Sequence, residues 1–384
     1  MHNSKTAFTI FITFSTISGR QMDKKSNPTL KQVAELSGFS QASVSMILNK
    51  RSDVSFSEET VRQVLAAAKK LGYEKSTGAS RKKRLAGKNI IAVFCPNISN
   101  PYYSTLVQAI EQSAWEKDFQ VMIVNTYRSP KVEAKNLSIL QEAEIAGLIF
   151  TMPPQVPHAL EKTSRNVPTV LIIDKGSSIN LDTVEMDNHG AGVLIARHLL
   201  GLGHRHIAYI STTLDDANSM RLRRLRGLEE TFRAECPEGS VLVRARDVTP
   251  GEELQDLFIE HHVGYELAKE CLADRKITAF VAVNDMVAYG VIDAIASEKL
   301  RVPDDYSVCG FDNIFPSRLS PISLTTVDSY IIDKGHNAFA MLYSRLSGSR
   351  GAVTGPDVIT RVEYPPRLMV RSSTSRAKDT LGAQ

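Results

Sequence analysis

Only four cysteines occur in the 384 residues, Cys95, Cys236, Cys271 and Cys309, scattered too widely for a Cys-x-x-Cys pair or a zinc cluster. Such spacing excludes a disulfide scaffold and reads as reduced, mostly buried thiols of a cytoplasmic protein. No stretch approaches the roughly 18 to 20 apolar residues of a membrane-spanning helix, so no membrane partner is expected. The phosphate-binding Gly-x-x-x-x-Gly-Lys loop, the Gly-x-Ser-x-Gly elbow and the His-Glu-x-x-His helix are all missing. Gly201-Leu-Gly203 starts like a dinucleotide fingerprint, but its third glycine position is His206 and it precedes a strand pattern instead of following one. His204 with His206, and His261 with His262, have no acid or thiol partner at ligand spacing. We therefore expect no enzyme, no catalytic residue, no cofactor and no metal. The single tryptophan, Trp115, falls in a helical pattern after the first strand and is expected in the core.

What is present is globular and uneven in charge. Hydrophobic content of 42% and charge of 23% are ordinary, and the length allows two or three domains. Residues 1–88 hold 16 Lys+Arg against 6 Asp+Glu, whereas the remainder holds 30 against 36. A net +4 thus conceals a basic head on an acidic body, and a basic head is the footprint of a polyanion partner. The tract Arg81-Lys82-Lys83-Arg84, between Gly78 and Gly87, also fits a plain linker. Ala7 to Ile17 is apolar but lacks the basic start and cleavage site of a secretory signal. Met22-Asp-Lys-Lys reads as a natural start, so 1–27 is expected to be a disordered leader or mis-assigned start, and 372–384 a disordered tail.

Residues Thr29 to Asn49 read as two short helices around a tight turn. Leu30, Val33 and Ala34 form one apolar stripe, and Val44, Ile47 and Leu48 another. Gly38 suits the end of the first helix and Ser40 the start of the second. Gln41, Ala42, Ser45 and Met46 are left pointing outward. Helices so short need a third to pack on. Val61, Val64, Leu65 and Ala68 supply it, with Ser57 as N-cap and a Phe56–Val61 staple. An ordinary three-helix bundle would look the same; the coincident positive charge favours a helix-turn-helix on double-stranded DNA.

From Ile90 onward, β-branched runs alternate with helical stretches: Ile90–Phe94, Val121–Val124, Gly147–Phe150, Thr169–Ile173, Ile207–Ile210, Val241–Val243, Phe280–Val283 and Ser307–Cys309. Near-continuous apolar strands separated by helices predict parallel sheets buried on both faces. Two Rossmann-like lobes are expected, with a cleft at the strands' carboxyl ends. Those ends carry Asn97, Ser99, Asn100, Tyr102, Tyr103, Asp174, Asn284, Asp285, Asp312 and Asn313, with Arg221 and Arg224 on a helical segment. Each acid or amide could merely cap the next helix; the set suits a sugar or other small polar ligand.

With these residues in view, the chain resembles the lactose/galactose-repressor family of bacterial transcription regulators from Thr29 to Arg371. The resemblance rests on Thr29-Leu-x-x-Val-Ala…Gly-x-Ser…Val-Ser…Leu-Asn49, Ser57-Glu-Glu-Thr60 and Leu71-Gly-Tyr73. It continues in Asn97-Ile-Ser-Asn-Pro-Tyr-Tyr103, His198-Leu-Leu-Gly-Leu-Gly-His204 and Asn284-Asp-Met-Val-Ala-Tyr-Gly290. Val302-Pro-Asp-Asp-Tyr-Ser-Val308, Gly310-Phe-Asp312 and Leu324-Thr-Thr-Val327 complete it. It implies an all-α helix-turn-helix head (28–74), a hinge (75–89) and a periplasmic-binding-protein-like type I body (90–371). It also implies a homodimer on operator DNA, controlled by a small sugar-like effector. Carried over residue by residue, Gln41, Ala42 and Met46 face base edges, while Thr29, Ser40, Ser45, Asn49 and Ser55 face phosphates. Met46 stands where the family usually has Arg. Leu85 takes the place of the hinge leucine wedged into the minor groove, about one helical turn farther from Tyr73 than is usual. The effector set is Tyr102, Tyr103, Asp187, Arg224, Asn284 and Asp312, with Phe258 in the region of the sugar-stacking aromatic. An exported solute-binding protein without a DNA function is the alternative.

Overall fold

The computed structural model describes residues 29–48, 56–71, 89–175, 179–348 and 358–378. These form two compact units, a helical head and an α/β body. The expected leader, and the expected hinge apart from residue 89, lie outside the described residues.

The head contains α1 (Leu30–Ser37), α2 (Gln41–Leu48) and α3 (Glu58–Leu71). Thr29 opens α1 with a reciprocal box: its hydroxyl accepts from Gln32 N at 3.3 Å, and its own N–H donates to Gln32 Oε1 at 2.7 Å. Gly38, at φ +75°, ends the helix in the left-handed region and donates to the Ala34 carbonyl. Ser40 accepts from Ser43 N at 3.1 Å and Ser57 from Thr60 N at 3.2 Å, starting the next two helices. Val33, Ala34, Val44, Ile47, Val64, Ala67 and Ala68 meet as the core. Leu65, expected among them, is 50% exposed. It sits one residue from buried Val64, about 100° around the helix, and Ala67 takes the inward place instead.

In the body, lobe 1 holds β1 (Ile90–Cys95), β2 (Gln120–Asn125), β3 (Gly147–Phe150), β4 (Thr169–Asp174), β5 (Asp182–Met186) and β11 (Arg361–Tyr364). Their order is β11-β5-β4-β3-β1-β2, all parallel. Lobe 2 holds β6 (His206–Thr212), β7 (Ser240–Arg246), β8 (Ala279–Ala282), β9 (Ser307–Asp312), β10 (Thr325–Asp328) and β12 (Arg367–Met369). These run β12-β10-β9-β8-β6-β7, with only β12 antiparallel. Lobe 1 is covered by α4 (Pro101–Trp115), α5 (Pro130–Glu142), α6 (Pro157–Ser164) and α12 (Ile331–Ser347). Lobe 2 is covered by α7 (Asn188–Gly201), α8 (Ser219–Glu235), α9 (Pro250–Gln255), α10 (Ile259–Cys271) and α11 (Asp285–Ser297). The chain crosses between lobes after β5, after β10 and between β11 and β12. All eight expected strands form, because each is an apolar run buried on both sheet faces or paired at an edge.

Three expectations are corrected. Strands β5, β10, β11 and β12 come in addition to the expected eight, since their residues are too polar or their runs too short to predict them. Asp182-Thr-Val-Glu-Met186 is buried throughout because its acids are paired: Arg345 grips Asp182 at 2.6 and 2.7 Å, and Arg361 meets Glu185 at 2.8 Å. Trp115, expected in the core, is 80% exposed at the last turn of α4. Residues 372–378, expected to begin a disordered tail, are fastened to lobe 2. The Ser373 carbonyl accepts from Val308 N at 2.8 Å, its hydroxyl accepts from Thr325 N at 2.7 Å, and Ala377 N donates to the Leu202 carbonyl at 2.9 Å. Hydroxyl-rich composition suggests solvation, but here those hydroxyls satisfy backbone groups of the sheet. All four cysteines are buried and free. Among the described residues no helix is long and apolar enough to cross a membrane, and no three His, Cys, Asp or Glu residues gather as metal ligands.

Candidate functional site

Many of the cleft's polar residues hang from the carboxyl end of a strand or the start of a helix. Asn100 caps α4 by accepting from Tyr102 N at 2.8 Å, which sets Tyr102 and Tyr103 on the first turn. Asn284, after β8, caps α11 by accepting from Val287 N at 2.9 Å. Asp312, the last residue of β9, has φ +120° and is followed by Asn313 at φ +56°. Two successive non-glycine residues in the left-handed region mark strain held in place by surrounding bonds. Tyr127 and Arg128, at φ +52° and +50°, turn the chain after β2 in the same way.

Helices α7 and α8 deliver Arg224. They approach so closely that a Cβ on Gly192 would lie 2.1 Å from the Arg224 carbonyl, and one on Gly227 2.1 Å from that of His189. Only glycine permits this contact. It brings the Arg224 Nε to 2.8 Å from Asn188 Oδ1, its Nη1 to 2.7 Å from the Val283 carbonyl and its Nη2 to 3.4 Å from Asp312 Oδ1. The guanidinium also lies over the Phe311 ring, 4.8 Å from its centroid. Behind Asp312, Asp285 accepts from the Ser317 and Thr326 hydroxyls, both at 2.6 Å. Burial raises both carboxyls above the ordinary range; the charge on Asp312 adds to the rise at Asp285, and Arg224 opposes the rise at Asp312.

The two lobes are bonded across the cleft. Asn100 Nδ2 donates to Glu260 Oε2 at 2.7 Å, Ser99 Oγ to the Leu257 carbonyl at 3.2 Å and Asn97 Nδ2 to the Glu253 carbonyl at 3.4 Å. Arg128 pairs with Glu253 and reaches the Tyr103 hydroxyl at 3.4 Å. Burial works against the charge on Arg128, but Glu253, Tyr103 and Glu260 together more than offset it and its pKa rises. Arg221, beside it, is lowered by burial and by Arg128, with Glu260 opposing at 3.4 Å. At the hinge side, Arg223 of α8 and Asp174 of β4 form an ion pair at 2.6 Å, in a geometry that is not a hydrogen bond. The closed cleft encloses a volume of about 60 Å³. A second space of about 340 Å³ adjoins it, sharing Arg128, Gln155, Asn218, Arg221 and Glu260 as walls.

Of the expected effector residues, Tyr102, Tyr103, Arg224, Asn284 and Asp312 line the inner cavity together. Asp187 does not: its carboxylate accepts from Gly190 N at 2.8 Å and caps α7, and the next residue, Asn188, takes the place on the wall. Phe258 is 57% exposed and off the cavity. Sequence reasoning passed over Asn188, Arg128, Glu260 and Lys334, all of which line it. Arg221, noted as polar but left out of the effector set, lines it too. In the head, Gln41 and Ala42 are exposed on α2, with Ser45 and Met46 half-buried beside them. Thr29 and Ser40 are both engaged as helix caps. Asn49, Ser55 and Leu85 lie outside the described residues.

Comparison with known proteins agrees with this architecture. The family described as "Bacterial regulatory proteins, lacI family" matches residues 29–76, and a periplasmic binding protein-like domain matches residues 196–374. The HTH-type transcriptional regulator DegA of Bacillus subtilis is 31% identical over 357 residues, covering 90% of this chain and 98% of DegA. The HTH-type transcriptional repressor PurR of Histophilus somni is 28% identical over 350 residues, covering 90% and 98%. Among solved structures, a LacI family regulator from Silicibacter pomeroyi has a TM-score of 0.64 at 22% identity, covering 91% of this chain and all of that one. One from Enterococcus faecium with bound ribose has a TM-score of 0.62 at 24% identity, covering 75% and 100%. The transcriptional regulator CelR in complex with cellobiose has a TM-score of 0.60 at 23% identity, covering 90% and 99%. The basic helix-turn-helix head, absent from an exported binding protein, removes that alternative, and the chain belongs to the LacI family of DNA-binding transcriptional regulators, which are not enzymes.

Proposed function

We propose that this protein is a cytoplasmic repressor that binds its operator as a homodimer and whose operator affinity is set by a small, sugar-like effector in the cleft. The observation that carries the reading is Arg224, buried at the cavity wall with its fork held by Asn188, Val283 and Asp312. A guanidinium fixed in this way beside Tyr102, Tyr103 and Asn284 suits the vicinal hydroxyls of a sugar. Ribose and cellobiose in the Enterococcus faecium and CelR structures support that ligand class. In the head, Gln41, Ala42 and Met46 read base edges, with Met46 and Ala42 suited to a thymine methyl rather than to guanine. Thr29, Ser40, Ser45, Asn49 and Ser55 meet phosphates, and Leu85 wedges the minor groove at the operator centre. The effector acts by preferring one lobe arrangement, a coupling of about 1 to 3 kcal/mol in such switches.

The test is selection of a preferred duplex from a randomised pool, followed by fluorescence polarisation. Affinity for the selected duplex should exceed that for random DNA and fall steeply with salt. Arg224→Ala should keep this affinity yet lose the shift that stabilising sugars produce in the wild type. A protein that selects no duplex, or a variant that keeps the shift, overturns the reading.

A further inference from the structure

The inner cavity has one cation too many. Arg128, Arg221 and Arg224 each face a carboxylate, from Glu253, Glu260 and Asp312. Lys334, in the first turns of α12, lines the same cavity and is 4% exposed. Among the described residues its Nζ has one hydrogen-bond partner, the Met186 thioether at 3.5 Å, a weak acceptor that leaves most of the ammonium's donor capacity unused. No carboxylate oxygen of the described residues lies within 4.0 Å of it, and the nearby acids are committed elsewhere. Asp174 is paired with Arg223 and accepts twice from Asn188; Asp328 holds Arg367 and Tyr330 N; Asp312 takes Arg224 and the Ser329 hydroxyl.

A buried ammonium without a counter-charge is expensive. Methionine or leucine at this position would fill the space with no such penalty. The geometry points to an anionic effector: a polyhydroxy compound whose carboxylate or phosphate meets Lys334 Nζ while its hydroxyls meet Arg224, Asn284 and Asp312. This assignment rests on the cleft being the effector site. Burial, with Arg224 nearby, lowers the Lys334 amine to about 8, so it still carries its proton at neutral pH. An arriving oxyanion supplies the missing partner, whereas a neutral sugar leaves the charge uncompensated.

The experiment titrates the full-length protein, by calorimetry and thermal shift, with matched probes. Gluconate and galacturonate represent the carboxylates, glucose 6-phosphate and ribose 5-phosphate the phosphates, and glucose, galactose and ribose the neutral sugars. At least one anion should bind about tenfold or more tightly than its neutral counterpart, equivalent to about 1.4 kcal/mol. Which set responds identifies the oxyanion. Lys334→Met should erase the preference while unfolding at the same or a higher temperature, and Lys334→Arg should retain it. Neutral sugars binding as tightly as the anions, no anion binding, or a preference that survives Lys334→Met would each overturn the proposal. Arg224→Ala separates the two readings: loss of neutral-sugar binding in that variant preserves the effector site even if the anionic assignment falls.

Discussion

His204 is a residue whose part emerges only from its surroundings. In the sequence it stands in a His-rich segment and reads as a solvated or core residue, with metal the remote alternative. In the fold it is 1% exposed, with Nδ1 2.8 Å from the Thr278 hydroxyl and Nε2 3.1 Å from the Ser375 carbonyl. A carbonyl only accepts, so Nε2 carries a proton, while burial disfavours a second proton on the ring. Burial lowers its pKa from 6.5 to about 4, with the Ser375 bond opposing. The folded value lies below the unfolded one, so the unfolded chain takes up the proton first. Stability present above pH 6.5 therefore drains away between there and about pH 4. The shift is worth about 3 kcal/mol. Thermal melts of wild type and His204→Gln across this window should show the wild type losing more, by that order; parallel profiles would reject the neutral, buried ring. At the same scale, Arg224, Tyr102 and Asn284 were legible because their motifs are distinctive. Lys334 was not: a lysine in an amphipathic helix reads as a solvated charge until packing reveals which face it occupies.

Among elements, only those with a local signal of their own were legible. The capped helices of the head and the eight apolar strands are written in periodicities of 3.6 and 2. Strand β5 carries no such signal, since its burial depends on Arg345 and Arg361, which lie more than 150 residues from Asp182 and Glu185. The Gly192–Gly227 contact is invisible for the same reason: nothing local says that α7 and α8 touch there. Its consequence is testable. Gly192→Ala would place a methyl 2.1 Å from the Arg224 carbonyl, a backbone atom that yields only if α8 shifts. Overpacking of this kind destabilises by about 1 to 3 kcal/mol, and the displaced turn carries Arg224. Thermal unfolding should fall, and binding of whichever ligand stabilises the wild type should weaken about tenfold or more. A variant with lowered stability but undiminished binding would show that α8 absorbs the shift without moving the guanidinium.

For the body as a whole, polar side-chain bonds join the lobes across the cleft, beside an apolar contact of Ile314, Met286 and Tyr289 with the lobe 1 core. One of those bonds is the Arg128–Glu253 ion pair, its side chains 18% and 8% exposed. Asn100 links the same closure to a backbone reporter: its Nδ2 binds Glu260 across the cleft while its Oδ1 holds the Tyr102 N–H. Glu253→Ala leaves Arg128 desolvated without its partner whenever the lobes meet. A charged hydrogen bond of this kind contributes about 1.5 to 3 kcal/mol, so the closed-to-open ratio should drop about ten- to a hundredfold. Hydrogen–deuterium exchange reads that ratio directly where opening is fast. In Glu253→Ala the Tyr102 amide should exchange about ten- to a hundredfold faster, and Asn100→Ala should act in the same direction. The Val93 amide, inside β1 between β2 and β3, should not change in either variant. Equal acceleration at both amides would mean general loosening of lobe 1. No acceleration at Tyr102 would mean that the hinge strands, and not the polar clasp at the mouth, set the resting arrangement of the lobes.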